Sequence, residues 1–331
     1  MLLRLRRRLT HVLITGLAIC AIMLIVMTLC PTKQEGCNLQ HPSDDDIGVN
    51  IIQERKESVL FSTNLLVVVI SAPSHEHVRN VIRETWAKNP PVEVRTLFVI
   101  GVKNLAGDVF EKLVHEKRRY SDMLFLENLE ESYSALTRKI IETFKFVCEK
   151  VHFKFLLKVD EDSYVRVDKI SYELLSKPQQ RLYWGFFDGR AHVKKAGKWE
   201  ERDYVLCDRY LPYALGGGYV ISSDLVEYVA KNSEILKLYQ SEDVSLGTWL
   251  GPLDVHRVHD PNFDTEYKSR GCFNSYLVTH KKSPEQMKVL YDNLQSHGKL
   301  CDVETRTRLS YQYKWDLPPS QCCERKDPTI P

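Results

Sequence analysis

The chain has 331 residues, 43% of them hydrophobic and 27% charged, enough apolar material for one large core or two modest ones. A net charge of +2 excludes the basic footprint of a nucleic-acid-binding protein. No internal repeat of solenoid or propeller period is present.

The basic residues are unevenly placed. Arg4, Arg6, Arg7 and Arg8 precede an apolar run from Val12 to Cys30. At helical rise that run covers about 28 Å, a bilayer core, and it exceeds the roughly 7–15 residues of a signal-peptide core. The positive-inside rule predicts a cytoplasmic tail over 1–11, a transmembrane signal anchor over 12–30 and a lumenal remainder. A cleaved signal peptide is the alternative, but Leu29-Cys30-Pro31 is not a small-x-small cleavage site.

Of nine cysteines, Cys20 and Cys30 belong to the apolar run and seven would face an oxidising lumen. Seven is odd, so at least one stays free or pairs between chains; Cys37 is the first candidate, and Cys148, on an apolar helix face, reads as a buried thiol. The neighbours Cys322 and Cys323 are expected to take different partners. No C-x-x-C pattern is present, which argues against a structural zinc site.

Residues 31–62, polar and acidic with no sustained apolar period, read as a stem, and 63–331 as the folded domain. Leu65 to Ile70 is the first buried strand, and Pro73 and Ser74 stop it and offer a helix cap. Arg79 and Arg83, four apart, share a face of the next helix, where they could meet a nucleotide or remain a solvated face while Trp86 anchors the core. Then come a strand over Val94–Val102, a helix over Gly107–Tyr120, a strand over Met123–Leu126 and a helix over Ser134–Val147. This βαβα alternation predicts a mostly parallel sheet in an α/β domain.

The next strand, Phe153 to Val159, ends in Asp160-Glu161-Asp162. Ligands of open α/β sheets bind outside the carboxyl ends of strands, and acids placed there call for a cation. Aspartates two apart project to the same side, about 7 Å apart at strand rise, and carboxylates suit Mg²⁺ or Mn²⁺. An acidic turn without a metal is the other reading of this motif alone.

Leu182 to Phe187 is another apolar strand, in which Trp184 either packs in the core or stacks on a sugar. Lys194 to Lys198 suggests a hairpin turn. Gly216, Gly217 and Gly218 precede a strand at Tyr219–Ile221 and mark a place needing positive φ or close approach of a ligand. A helix from Ser222 to Lys231 follows, and then Glu242-Asp243 opens an apolar helix. Acids at a helix start cap it, and the dipole would keep Asp243 ionised, as a general base requires. His280 ends a short apolar strand.

These motifs in this order resemble the β-1,3-glycosyltransferases, the inverting GT-A enzymes that include β-1,3-galactosyltransferases and Fringe proteins. The resemblance is carried by Arg79-Asn80-Val81-Ile82-Arg83-Glu84-Thr85-Trp86, Glu131-Ser132-Tyr133, Lys158-Val159-Asp160-Glu161-Asp162, Gly216-Gly217-Gly218-Tyr219-Val220 and Glu242-Asp243-Val244. Further strings, among them Tyr210 to Tyr219, Ser241 to Gly247 and Pro318 to Cys323, are most similar to the branch that builds the glycosaminoglycan linker. Two positions depart from the family pattern: Glu161 stands where Asp is usual, and Ala135 where an Asn often carries a glycan.

The resemblance implies a Rossmann-like GT-A domain that transfers galactose from UDP-galactose, with inversion, to the 3-hydroxyl of Gal-β-1,4-Xyl on proteoglycan core proteins. It implies Mn²⁺ on Asp162 and His280, Asp243 as base, and Asp160, Glu161, Arg79 and Arg83 on the donor side. Gly216, Gly217, Gly218, Glu242 and Trp184 are then expected around the sugars. It also implies a Golgi membrane location, and leaves association with other linker-pathway transferases open. A sister transferase with another donor or acceptor, and a lumenal glycan-binding protein without turnover, are the alternatives.

Overall fold

The computed structural model describes residues 59–323. The expected tail, membrane anchor and nearly all of the stem lie outside the described residues. Among the described residues no helix is long and apolar enough to cross a membrane.

The strands are β1 (Phe61–Ile70), β2 (Val94–Gly101), β3 (Met123–Leu126), β4 (Val151–Asp160), β5 (Tyr164–Val165), β6 (Leu182–Asp188), β7 (Tyr213–Ser222), β8 (His256–His259), β9 (Phe263–Asp264), β10 (Gly271–Cys272), β11 (Val278–Thr279) and β12 (Thr305–Arg306). The helices are α1 (Glu76–Glu84), α2 (Gly107–Tyr120), α3 (Leu136–Lys150), α4 (Val167–Leu174), α5 (Ser223–Asn232), α6 (Glu242–Trp249) and α7 (Pro284–His297).

The main sheet runs β3-β2-β1-β4-β7-β6-β8. All of its neighbours are parallel except those of β7, which is antiparallel to both β4 and β6. The mixed α/β architecture follows from sequence: Leu65–Val69 and Phe155–Val159 are buried throughout, as central strands covered on both faces must be. Helix α3 packs against α5 and α6, and α1 against α7.

β1 starts at Phe61, inside the expected stem, because Phe61 to Thr63 still pair with Val151 to Phe153 and backbone pairing needs no apolar side chain. The cap of α1 is His75, not Ser74, and its side chain makes no capping hydrogen bond. The Lys194–Lys198 stretch turns, with Glu201 N–H donating to Lys194 O at 2.8 Å, but forms no hairpin of strands; it belongs to a long loop between β6 and β7. Cys272 bonds to Cys301, and Cys322 bonds to its neighbour Cys323, against the expectation of separate partners. Among the described residues Cys148 and Cys207 are free.

Candidate active site

The register of the sheet builds the site. Ile70 pairs with Asp160, so β1 and β4 end together and their loops lie side by side. Beyond Asp160 the chain turns, with Ser163 N–H donating to Asp160 O at 3.1 Å, and enters β5. β5 pairs with β11, Tyr164 opposite Thr279, which delivers His280 to the acidic turn. Ligand atoms of Asp160, Asp162 and His280 all lie within 4.8 Å of one another. His280 Nδ1 is 3.1 Å from Asp162 Oδ1 and 3.0 Å from Ser163 Oγ. Lys282 N–H donates to Asp162 O at 2.7 Å, and Lys281 between them takes a left-handed φ of 58°, a conformation that costs energy and clusters at functional sites.

Two carboxylates and an imidazole suit a divalent ion that accepts oxygen with some nitrogen. Asp162 supplies a charged oxygen: burial raises its pKa, but its contact with His280 outweighs that and holds it below the ordinary value. Asp160, expected on the donor side, belongs to this group as well.

Lys158 connects this group to the acidic start of α6. Its ammonium donates to Asp160 Oδ1 at 2.8 Å, to Gly216 O at 2.6 Å and to Glu242 Oε1. Burial disfavours this cation, yet Asp160 and Glu242 hold its pKa above the lysine range. Glu242 also accepts the Tyr219 hydroxyl at 3.0 Å, and burial, against the pull of Lys158, raises its carboxyl to about 7. Asp243, at the start of α6, accepts Gly216 N–H at 2.9 Å and Val244 N–H at 2.9 Å. Burial raises its pKa, with Lys158 and the two N–H groups opposing, so the net shift runs against the ionising influence expected of the helix start. A carboxylate raised in this way is better matched to proton transfer near neutral pH.

The three glycines lie inside β7, not in a turn before it, and none has positive φ. They are required by protein neighbours. A Cβ on Gly216 would stand 2.8 Å from Glu242 Oε1 and 3.2 Å from Asp243 Oδ2; on Gly217, 2.7 Å from His280 Cγ; on Gly218, 3.0 Å from a Val278 methyl. Consecutive glycines thus admit Asp243 on one residue and His280 on the next.

Several expected ligand contacts are corrected. Arg79 is fully buried and donates to Glu116 at 2.8 and 2.6 Å, to Ser71 Oγ at 3.0 Å and to Ala72 O at 2.6 Å. Arg83 donates to Glu116 at 2.7 Å and, through two nitrogens, to Asp122 at 2.8 Å. Both guanidiniums are committed to α2 and the loop after it, so Arg79 shapes the β1 loop rather than facing a donor. Trp184 has no exposed surface; its indole donates to Asp260 at 3.0 Å and its ring meets Phe263 edge-on, which makes it core. Glu242 is 7% exposed, and its two carboxylate oxygens are taken by Lys158 and Tyr219. Glu161 is hydrogen-bonded to His75, while its Oε2 is buried without a partner, an acceptor left for a ligand.

Sequence reading quoted Lys158 in a motif but gave it no role, although the period-two alternation of a strand places Lys158 and Asp160 on one side. It likewise gave no role to Lys139, which belongs to the resemblance beside Leu136-Thr137 and whose buried ammonium holds Glu131 at 2.7 Å and Ser71 O at 2.8 Å.

Comparison with known proteins places these residues in context. Residues 77–261 match the galactosyltransferase family. The chain is 44% identical over 319 residues to β-1,3-galactosyltransferase 6 of Mus musculus, covering 94% of each chain. It is 30% identical over 246 residues to β-1,3-galactosyltransferase 1 of Mus musculus, covering 70% of this chain and 74% of that one. A UDP-GalNAc:β-1,3-N-acetylgalactosaminyltransferase 2 of Xenopus laevis is 31% identical over 196 residues, which cover 59% of this chain and 39% of that protein.

Proposed function

The chain belongs to the galactosyltransferase family and is a β-1,3-galactosyltransferase, and from that premise we propose that it transfers galactose from UDP-galactose to the 3-hydroxyl of Gal-β-1,4-Xyl on proteoglycan core proteins, as galactosylxylosylprotein 3-β-galactosyltransferase. The observation that carries the chemistry is the pair of adjacent glycines, with Asp243 against Gly216 and His280 against Gly217, which supports reading Asp243 as a base beside a metal group. The acceptor rests on the linker-branch strings, Tyr210 to Tyr219, Ser241 to Gly247 and Pro318 to Cys323.

Asp162, His280 and Asp160 would hold the ion, Mn²⁺ on this reading. When bound it neutralises the diphosphate and acts as a Lewis acid on the departing nucleotide. Asp243, oriented by the N–H groups of Gly216 and Val244, takes the proton of the acceptor 3-hydroxyl. As that oxygen bonds to galactose C1, the bond from C1 to the diphosphate breaks, and the anomeric centre inverts from α to β. The buried Lys158 ammonium favours the charged form of Asp243 and opposes the repulsion from Asp160. The unpartnered Glu161 Oε2 and Asp160 are the acceptors available to ribose hydroxyls.

The arginines before Val12 and the apolar run to Cys30 support a type II signal anchor and a Golgi lumenal catalytic domain. The test is product formation from UDP-galactose and Mn²⁺ with a panel of Gal-β-1,4-Xyl, β-N-acetylglucosaminides and simple β-galactosides. Preference for Gal-β-1,4-Xyl supports the assignment. Transfer to another acceptor in its place retains the chemistry and overturns the acceptor.

A further inference from the structure

The mouth of the site carries aromatic side chains that the mechanism above leaves unused. Tyr133 lies in the 3-10 turn Tyr133–Ala135 that opens α3, Trp199 in the long loop between β6 and β7, and Tyr267 in the loop after β9. Although they come from three separate segments, they meet. Trp199 directly follows Lys198, whose side chain covers the Tyr133 ring. The Trp199 ring stands edge-on to Tyr267, with centroids 5.7 Å apart and planes at 86°. The Lys198 ammonium lies 4.5 Å from the Tyr133 ring centroid, and the Lys281 ammonium 3.7 Å from that of Tyr267.

This row spans the site from base to metal group. At one end, Ser132 and Ser134 on either side of Tyr133 line the larger cleft together with Gln240, three residues before Asp243. At the other, Lys281 directly follows His280. All three rings stay exposed, Trp199 by 40% and Tyr267 by 59%; of the other tryptophans Trp86, Trp184 and Trp249 are buried, and Trp315, also exposed, stacks on Tyr313. An indole held in place by its neighbours yet open to solvent is an unused apolar face. Beside it, clefts of about 550 Å³ and about 340 Å³ share Glu201, Asp203 and Gln240, and the smaller is lined by Lys198 and Glu200, on either side of Trp199.

A pyranose is polar at its rim and apolar over the face where its C–H bonds project, so it binds by hydrogen bonds at the edge and an aromatic ring beneath. We propose that Trp199, braced by Tyr133 and Tyr267, is the platform on which a pyranose ring of the acceptor stacks, with the adjoining clefts taking the remainder of the acceptor glycan. The side is fixed by the base: the acceptor hydroxyl must reach Asp243, and the Tyr133 end of the row is the one beside it. This inference rests on the assignment of Asp243 as base, and it makes Trp199 a determinant of acceptor specificity.

The test is steady-state kinetics of the full chain, wild type against Trp199→Ala and Trp199→Phe, with whichever member of the acceptor panel the wild type prefers. Failure of the Gal-β-1,4-Xyl assignment then shows as the identity of the preferred acceptor, and the stacking claim is tested either way. Trp199→Ala should raise the acceptor KM about tenfold, with kcat and the UDP-galactose KM within about twofold. Trp199→Phe should recover most of the loss. Acceptor titrated into the UDP complex should quench tryptophan fluorescence in the wild type and not in Trp199→Ala. An unchanged acceptor KM overturns the proposal. So does an equal rise in donor and acceptor KM, which would make Trp199 a pin for its loop.

Discussion

Replacing Gly217 by alanine tests whether β7 sets the metal group. The new Cβ would lie 2.7 Å from His280 Cγ and 3.0 Å from His280 Cβ and Cδ2, where ordinary contact begins at 3.4 Å. The strand cannot yield easily, because Gly218 is registered against Val159 and the Gly217 carbonyl accepts Ser163 Oγ at 2.6 Å. The imidazole must therefore move by about 0.7 Å, away from its 3.1 Å contact with Asp162. Displacement of a metal-site group on this scale costs about 10–100-fold in metal affinity. Overpacking adds about 1–3 kcal/mol of destabilisation. The assay is Mn²⁺ titration of activity at saturating donor, with Mn²⁺ binding followed separately by electron paramagnetic resonance. Gly218→Ala, whose Cβ meets Val278 and Val159, is the control: it should lower thermal stability and leave Mn²⁺ half-saturation in place. Gly217→Ala with wild-type metal dependence would refute the reasoning.

Three other outcomes follow from the same geometry. Because burial raises Asp243 and the base must be ionised, kcat/KM should fall as pH falls through an apparent pKa above the ordinary aspartate range, a value shared with the coupled Glu242; a pH profile with its acid limb near 4 contradicts this. Arg79→Ala should cost about 3 kcal/mol in urea unfolding, since it leaves buried Glu116 with one cation fewer; unchanged stability with a raised UDP-galactose KM would return Arg79 to the donor site. Cys272→Ser opens a loop of 29 residues and should lower stability by about 3–4 kcal/mol, read from the unfolding midpoint.

The strands that carry the site were legible because burial on both faces writes itself as unbroken apolar runs, as in Leu65–Ile70 and Phe153–Val159. The acidic turn was legible from its position at the end of such a run, and His280 and Asp243 from the resemblance. The glycines were visible as a signal but misread in cause. A strand continues through glycine when its neighbours supply the pairing, and here Asp243, His280 and Val278 occupy the space where Cβ atoms would be. Arg79 and Arg83 were placed on the correct face, but their partners Glu116 and Asp122 lie 37 and 39 residues away, beyond the reach of local pattern. Trp184 in an apolar strand carries no mark separating core from platform. Trp199 carried none either: its meaning comes from Tyr133 and Tyr267, which tertiary structure alone brings to it.

The central claim is that Asp243 deprotonates the 3-hydroxyl of Gal-β-1,4-Xyl beside a metal held by Asp162, His280 and Asp160. The most direct measurement is product analysis by nuclear magnetic resonance after incubating the full chain, wild type and Asp243→Asn, with UDP-galactose, Mn²⁺ and that disaccharide. The account predicts a β-1,3-linked galactose from the wild type. For Asp243→Asn it predicts a loss of about 10²–10⁴-fold in turnover with UDP binding retained. An α-linked product, or turnover preserved in Asp243→Asn, would contradict it.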